Sequence, residues 1–496
     1  MSALLGGNSR YDSFTRTGIE SQNQLAFGLF NHSNFTSANA AGLNRLQEQR
    51  RMGVYANLTF DYSNYLYLNI SARNDWTSTV EKENRSILYP GVSVSFIPSS
   101  AFDWNSSTIN DLKLRLGYGT SAGFPNPYRT RNTLAQNAIA FSRDGSVTQT
   151  HSVSNVLGNP NLRPELQQEL EFGVEAVMFN NKLRFDLSLY EKNTNDLITQ
   201  APIDPSTGFT STAINVGKIR TRGIELQANI SPISTASGFT WNSIVNFGLY
   251  RSVTMELGDG LDEIVVAGFT TLGNFAIPGE PFNVIKGIGF ERDEQTGLPV
   301  ILSNGLQKQD PDLKILGDPN PRWTGSFINT FSFKGFTLMA MLEYRHKGAI
   351  FSNTVTGTLA RGVTKDPVVD RELTYIMPGV KEDGTPNDIQ ISASDYFFGG
   401  YHLGADEANV FDGSMIRLRE VSLGYELPTN LMAKTPFKRA SVAVSGSNLW
   451  FKALNFPPNM NYDVDVLGTG VGNGLGFDFV TGPSSRRFGG TVTLTF

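Results

Sequence analysis

Apolar and polar side chains take turns along most of this chain. In RMGVYANLTFDY, residues 51–62, Val54, Ala56, Leu58, Phe60 and Tyr62 fall on one face, with Tyr55, Asn57 and Thr59 on the other. A period of two marks a strand with one apolar and one polar face. The pattern returns in YLYLNISAR (65–73), LKLRLGY (112–118), LEFGVEAVM (170–178), LRFDLSLY (183–190), IELQANI (224–230) and VSLGYEL (421–427). The first two segments are separated only by Ser63 and Asn64, which predicts a hairpin. Ahead of Val421 the phase set by Ile416 and Leu418 slips, so a bulge or strand boundary is expected near Glu420. The closing segment, FGGTVTLTF, sets Phe488, Gly490, Val492, Leu494 and Phe496 on a single face.

Connections between the strands come in two lengths. Short ones fall at 63–64, near 180–181, around 232–238 and at 334–335. Long ones, rich in Gly, Pro, Asn and Asp, run near 120–165, 192–215, 252–322, 347–413 and 451–486. Thirteen strands follow residue 52, and a further candidate at about 22–32, NQLAFGLF, makes about fourteen. Short turns on one side and long loops on the other predict an all-β, antiparallel transmembrane barrel. If the 63–64 turn is periplasmic, the alternation puts Phe496 in the periplasm as well.

Composition agrees with that expectation. The 496 residues include 49 Gly, 34 Phe and 16 Tyr, with 18% charged and 40% hydrophobic residues, as half-apolar strands joined by polar loops require. No run of about 18 apolar residues is present to form a membrane helix. The net charge of −5, with Lys and Arg scattered, argues against nucleic acid as a partner. Cysteine is absent, which excludes disulfides and thiolate metal sites. The start, MSALLGGNSRYDS, lacks the charged and apolar regions of an export signal, so the expectation is a chain that begins inside a longer gene product or is one piece of a divided protein.

Several phrases resemble the SusC/RagA family of TonB-dependent outer-membrane transporters from Bacteroidetes. They include SARNDWTSTVEKENRSILYPGVSVSF (71–96), LKLRLGYGTSAG (112–123), GNPNLRPELQQELEFGVEAVMFNNKLRFDLSLYEKNTNDLI (158–198) and NVGKIRTRGIELQANI (215–230). GDPNPRWTGSFINTFSFKGFTLMAMLEY (317–344), FDGSMIRLREVSLGYELP (411–428) and VAVSGSNLWF (442–451) follow in family order. The resemblance implies a plugged barrel of about 22 strands, of which this chain supplies about 14 at the carboxyl end. The plug, the TonB-contacting segment, the signal peptide and the first strands are then expected elsewhere, in the same or another chain. It further implies energised import of bulky nutrients, glycan or peptide, under a SusD-like surface lipoprotein. Phe496 then fits the terminal aromatic that barrel-assembly machinery recognises, and Trp323, in the family's NP-x-W pattern, an anchor at the outer membrane interface. An alternative is a structural or docking subunit of a larger outer-membrane or secretion assembly that imports nothing. A third is an open pore made by this chain alone.

Catalytic chemistry has no visible carrier. His32, His151, His346 and His402 are far apart in sequence, and no nucleophile elbow, P-loop or zinc signature is present. Two acidic stretches are candidates for a hard cation such as calcium: Asp310 and Asp312 in QDPDLKILGD, and Asp463 and Asp465 in NYDVDV. The competing reading makes them solvated loop carboxylates. GTGVGNGLG, 468–476, lacks the βαβ context of a dinucleotide site and reads as a loop. Trp76, Tyr401, Phe411 and Phe456 either stack on sugar rings at the mouth or serve as girdle and loop packing.

Overall fold

A computed structural model describes the chain except for residues 37–40, 105, 144–145, 259–260, 364–369, 458–459, 466–473 and 483. Most of the GTGVGNGLG stretch therefore lies outside the described residues. Sixteen strands join one sheet; two are the short stretches Ala349–Ser352 and Phe477–Asp478, which leaves fourteen long strands. In chain order these are β1 (Ser2–Glu20), β2 (Ala41–Tyr62), β3 (Leu66–Thr77), β4 (Ser86–Phe96), β5 (Ile109–Gly123), β6 (Glu165–Met178) and β7 (Leu183–Asn195). They continue as β8 (Lys218–Ser234), β9 (Thr240–Glu256), β10 (Trp323–Phe333), β11 (Phe336–His346), β12 (Val410–Glu426), β13 (Arg439–Asn455) and β14 (Arg487–Thr495). Each pairs antiparallel with the next, and the outer edges of β1 and β14 carry no ladder partner among the described residues.

The alternation seen along single strands extends across the sheet. Register lines up Leu112, Ala176, Phe185, Ala228, Val245, Phe327, Leu342, Leu418 and Trp450 in one row across nine strands. One residue along, the row reads Lys113, Glu175, Asp186, Gln227, Asn246, Ser326, Glu343, Arg417 and Phe451. Because a one-residue slip would exchange the two rows, register is set wherever the faces meet different surroundings. The polar row and its neighbours line an internal cavity, so that face is the inner wall. The apolar face points outward, with Phe327, Leu338, Leu342 and Leu423 exposed.

Short connections gather at one end. Ser63 and Asn64 both take positive φ, as do Lys334 and Gly335, the backbone a two-residue hairpin needs to match strand twist. The expected slip near Glu420 is a bulge: Arg419 has no opposite number between Met341 and Leu342 of β11. β13 breaks step at the same height, where Asn448 is left-handed at φ 54°.

The first strand is a correction. It spans residues 2–20 rather than 22–32, and all nineteen of its residues pair with β2. The NQLAFGLF stretch folds instead around Asn34, whose side-chain amide donates to the carbonyls of Ala26 (2.6 Å) and Leu29 (2.8 Å) and whose oxygen accepts from the Ala26 N–H (2.9 Å). Such side-chain bonds compete with a strand ladder and win here.

The long connections pack into structures of their own. The 257–322 loop forms a four-stranded antiparallel sheet of Ile264–Gly268, Gly273–Ala276, Val284–Phe290 and Gln309–Gly317. Ile285 from that sheet, Phe351 from the 347–409 loop and Phe477 from the 456–486 loop make one buried cluster. Burying side chains of this size stabilises by about 1.5–3 kcal/mol each. Ile301, Met377 and Ile391 form a second cluster, and Ile350, Met415 and Val464 a third. Three loops thus share a hydrophobic core above the barrel wall, here called the crown. A smaller assembly joins the 78–85, 124–164 and 196–217 loops around Val80, Leu162 and Ala213.

Candidate functional site

The inner wall is built from the polar positions of strands whose apolar positions face out. Its cavity, about 780 Å3, is lined by Asp186, Ser188 and Tyr190 of β7, Glu225 and Gln227 of β8, Asn246 of β9, Glu343 and Arg345 of β11 and Arg419 of β12. A second cavity of about 710 Å3 continues toward the crown past Tyr250, Asp318, Arg322, Lys347 and Asp412. Leu249, Tyr250 and Pro321 line both, so the two adjoin.

Charged side chains on this wall are tied to one another across strands. Arg115 of β5 reaches Asp186 at 2.8 Å and Ser188 at 3.3 Å, and also pairs with Glu175, which Lys113 meets at 3.2 Å. Arg73 of β3 contacts Asp75 at 2.7 Å, the Tyr89 hydroxyl at 2.8 Å and Asn8 at 2.7 Å. Guanidinium forks spanning two or three strands fix side chains that would otherwise be long and mobile. Glycine makes room for them: a Cβ at Gly53 would sit 2.0 Å from Asp75, and one at Gly223 would strike the Tyr190 ring. Part of the glycine surplus therefore belongs to the wall rather than to loops.

The bulge in β12 creates the third network. Arg417 is 1% exposed and pairs with Asp463, which is 5% exposed. Arg417 also lies 3.2 Å from Asp465, and Arg419 pairs with Asp465 at 3.0 Å and Glu343 at 2.6 Å. Asn448 accepts from both guanidiniums, at 3.3 and 3.0 Å. Of these two calcium candidates Asp463 is buried and Asp465 exposed, and each meets arginine: Asp463 the Arg417 guanidinium, Asp465 those of Arg417 and Arg419. Asp310 pairs with Lys314 at 3.0 Å and accepts the Asp312 N–H at 2.9 Å, which holds its carboxyl below the usual range, while Asp312 is exposed. Among the described residues no group of three or more acidic or histidine side chains is placed to hold a metal ion.

The remaining sequence candidates divide by position. Trp323 opens β10 at the long-loop end of the outward face, against Tyr344 (ring centroids 4.8 Å), His346 (5.4 Å) and Phe247 (5.7 Å). Trp76 lies outward at the same end of β3. Tyr401 packs on Tyr396 at 5.5 Å inside the crown, where burial pushes its phenol up. Phe411 and Phe456 stack at 5.1 Å, with Tyr462 against Phe456 at 5.7 Å. Tyr401, Phe411 and Phe456 therefore each pack against a neighbouring aromatic ring. Phe496 is exposed and touches Phe437 at 4.9 Å. His32 meets Ser21 at 2.9 Å, His346 lies against Trp323 and His402 against Phe398, and His151 is exposed. The arginine networks went unnoticed in the sequence, although Lys113 and Arg115 in LKLRLGY sit at the polar positions of an alternating strand.

Known proteins share this architecture. TonB-dependent receptor P26 of Formosa agariphila is 27% identical over 98% of this chain and 50% of its own length. TonB-dependent receptor P3 of the same organism is 26% identical over 91% of this chain and 46% of its own. The chain thus spans about half the length of these curated relatives. TonB-dependent receptor SusC of Bacteroides thetaiotaomicron is 25% identical over 44% of this chain. Among solved structures, the RagAB peptide transporter superposes with a TM-score of 0.72 at 20% identity, over 100% of this chain and 53% of that one, a likeness of fold. The family described as TonB dependent receptor-like, beta-barrel, matches residues 3–368, well over half of the chain. Fourteen alternating strands, a polar inner wall and this match lead to one conclusion: the chain belongs to the TonB-dependent receptor β-barrel family of outer-membrane proteins.

Proposed function

We propose that this chain forms the carboxyl-terminal barrel wall and surface crown of a SusC-like importer of bulky nutrients, glycan or peptide. The observation that carries this reading is the union of three long loops into one packed crown beside a polar, cavity-lined wall. A crown with its own core presents a fixed surface over the barrel mouth, as ligand capture with a SusD-like lipoprotein requires. The relative called SusC and the fold likeness to a peptide transporter support the same assignment. The unpaired edges of β1 and β14 are where strands of an amino-terminal barrel segment would add, and that segment would bring the plug and the contact to TonB. In this reading the short turns and Phe496 are periplasmic, Phe496 acts as the assembly signal, and Trp323 anchors the rim at the outer interface.

The test is native purification from outer membranes in mild detergent, with mass spectrometry of every copurifying chain. A plug-bearing segment and a SusD-like lipoprotein are expected, and deletion of the gene abolishes growth on one class of oligomeric nutrient. Recovery with many unrelated outer-membrane proteins and no such lipoprotein would transfer the assignment to a docking subunit of a larger assembly.

A further inference from the structure

At the long-loop end, β1 and β2 bring like charges together. Arg16 stands directly opposite Arg45, and Arg10 opposite Arg51. Both pairs share the inner face, the one on which Tyr55 lies over Gly6 and Asn8 meets Arg73. Like charges directly opposite across a strand pair are destabilising. Arg10 is relieved by Asp12 at 2.8 Å, and Arg51 lies 4.2 Å from the centroid of the Phe124 ring. Arg16 and Arg45 have no carboxylate among the described residues; Arg45 touches only the Gln47 amide oxygen, at 3.2 Å.

A cavity of about 340 Å3 opens beside them, lined by Arg45, Gln47, Asn126, Tyr128, Arg129 and Arg131. Its size falls in the ~300–1,000 Å3 range of small-ligand sites. The loop that supplies its far side is pinned. The Tyr128 hydroxyl accepts the Glu48 N–H of β2 at 3.1 Å, the Arg129 carbonyl accepts the Asn159 N–H at 3.0 Å, and Arg131 forms a two-pronged pair with Glu81 at 2.8 Å. Arg129 itself has no ion pair among the described residues. Arg45 and Arg129 therefore line a shaped, prepared pocket without a carboxylate partner among the described residues, and Arg16 stands opposite Arg45 on the neighbouring strand.

We propose that this pocket binds the anionic group, a sulfate ester or a carboxylate, of an acidic oligosaccharide. Guanidinium forks match the oxygens of either group, and a ligand anion removes the repulsion between Arg16 and Arg45. The sugar is favoured by what surrounds the charges: the Tyr128 ring, 54% exposed, offers a flat apolar face, and the Gln47 and Asn126 amides offer partners for hydroxyls. This deepens the importer reading and rests on it.

The test is titration calorimetry on the complete receptor complex purified from outer membranes, with sulfated dextran, oligogalacturonate, neutral dextran and oligoglutamate of matched length. The acidic sugars are expected to bind, more weakly as salt rises, and neutral dextran not to bind; the stronger of the two acidic sugars identifies the group. Arg45→Gln with Arg129→Gln lowers that affinity at least tenfold, Arg129→Lys lowers it less, and Arg50→Gln, on the opposite face of the same strand, leaves it unchanged. Unchanged heat-modifiability of each variant on gels certifies the fold. Equal binding of neutral dextran, equal or tighter binding of oligoglutamate, or indifference to the double variant overturns the proposal. Any of these in a complex that still contains the plug segment and lipoprotein leaves the importer reading standing, whereas their absence from the preparation removes that reading first.

Discussion

The barrel wall and the crown solve opposite packing problems with the same residue types. On the wall, Phe327 is 40% exposed and Leu342 38%, while in the crown Phe351 is 2% exposed and Ile285 is fully buried. Lipid satisfies an outward phenylalanine, so the wall needs no partner layer there and turns its polar groups inward. Water surrounds the crown, which must bury its apolar groups against itself. A single chain therefore holds two cores of different kinds: a polar one inside the wall, made of cross-strand ion pairs, and an apolar one among the loops.

That contrast breaks most sharply at paired phenylalanines. Phe351→Ala should destabilise the crown by about 3–5 kcal/mol, the usual range for a buried aromatic, whereas Phe327→Ala should cost under about 1 kcal/mol because lipid refills the space. Limited proteolysis of the 347–409 loop, beside heat-modifiability of the barrel, separates the two. Asp463→Ala should rival the first, at about 3–5 kcal/mol, because it leaves Arg417 buried without its principal counter-charge. Release of the 456–486 loop in hydrogen exchange checks it. Next in size, Leu342→Arg puts a charge on the outward row and should lower barrel stability by about 2–4 kcal/mol near the bilayer midplane, measured by denaturant unfolding in vesicles.

The smallest effect is a pH response at the other loop assembly. The Arg131 guanidinium, aided by Thr130, lowers the Glu81 carboxyl from 4.5 to about 2. A depressed carboxylate stabilises the folded state above its ordinary value and loses that contribution as pH falls through the folded one. Protection of the 124–164 loop should therefore decline between pH 4.5 and about 2, and Arg131→Gln should abolish the dependence. An unchanged profile in that variant would assign the decline to other carboxylates.

The wall was legible in the sequence because its information is local. Strands such as 170–178 and 183–190 state their faces residue by residue, and even the bulge announced itself as a slip of phase before Val421. β1 escaped because SALLGGNSRYDSFTRTGIE mixes polar groups onto both faces and takes its conformation from β2. The crown escaped for a different reason: Ile285, Phe351 and Phe477 come from three loops, and no periodicity connects them. The burial of Asp463 escaped likewise, since its partner Arg417 lies 46 residues earlier on a strand.

The extra residue at Arg419 has a consequence for inheritance. Ile416 and Leu418 before it, and Val421 and Leu423 after it, all face outward. Deleting Arg419 would therefore restore plain alternation and leave the membrane-facing surface as it was. A lineage can add or drop a cation on the inner wall at this point while the outer surface stays under its own, separate selection.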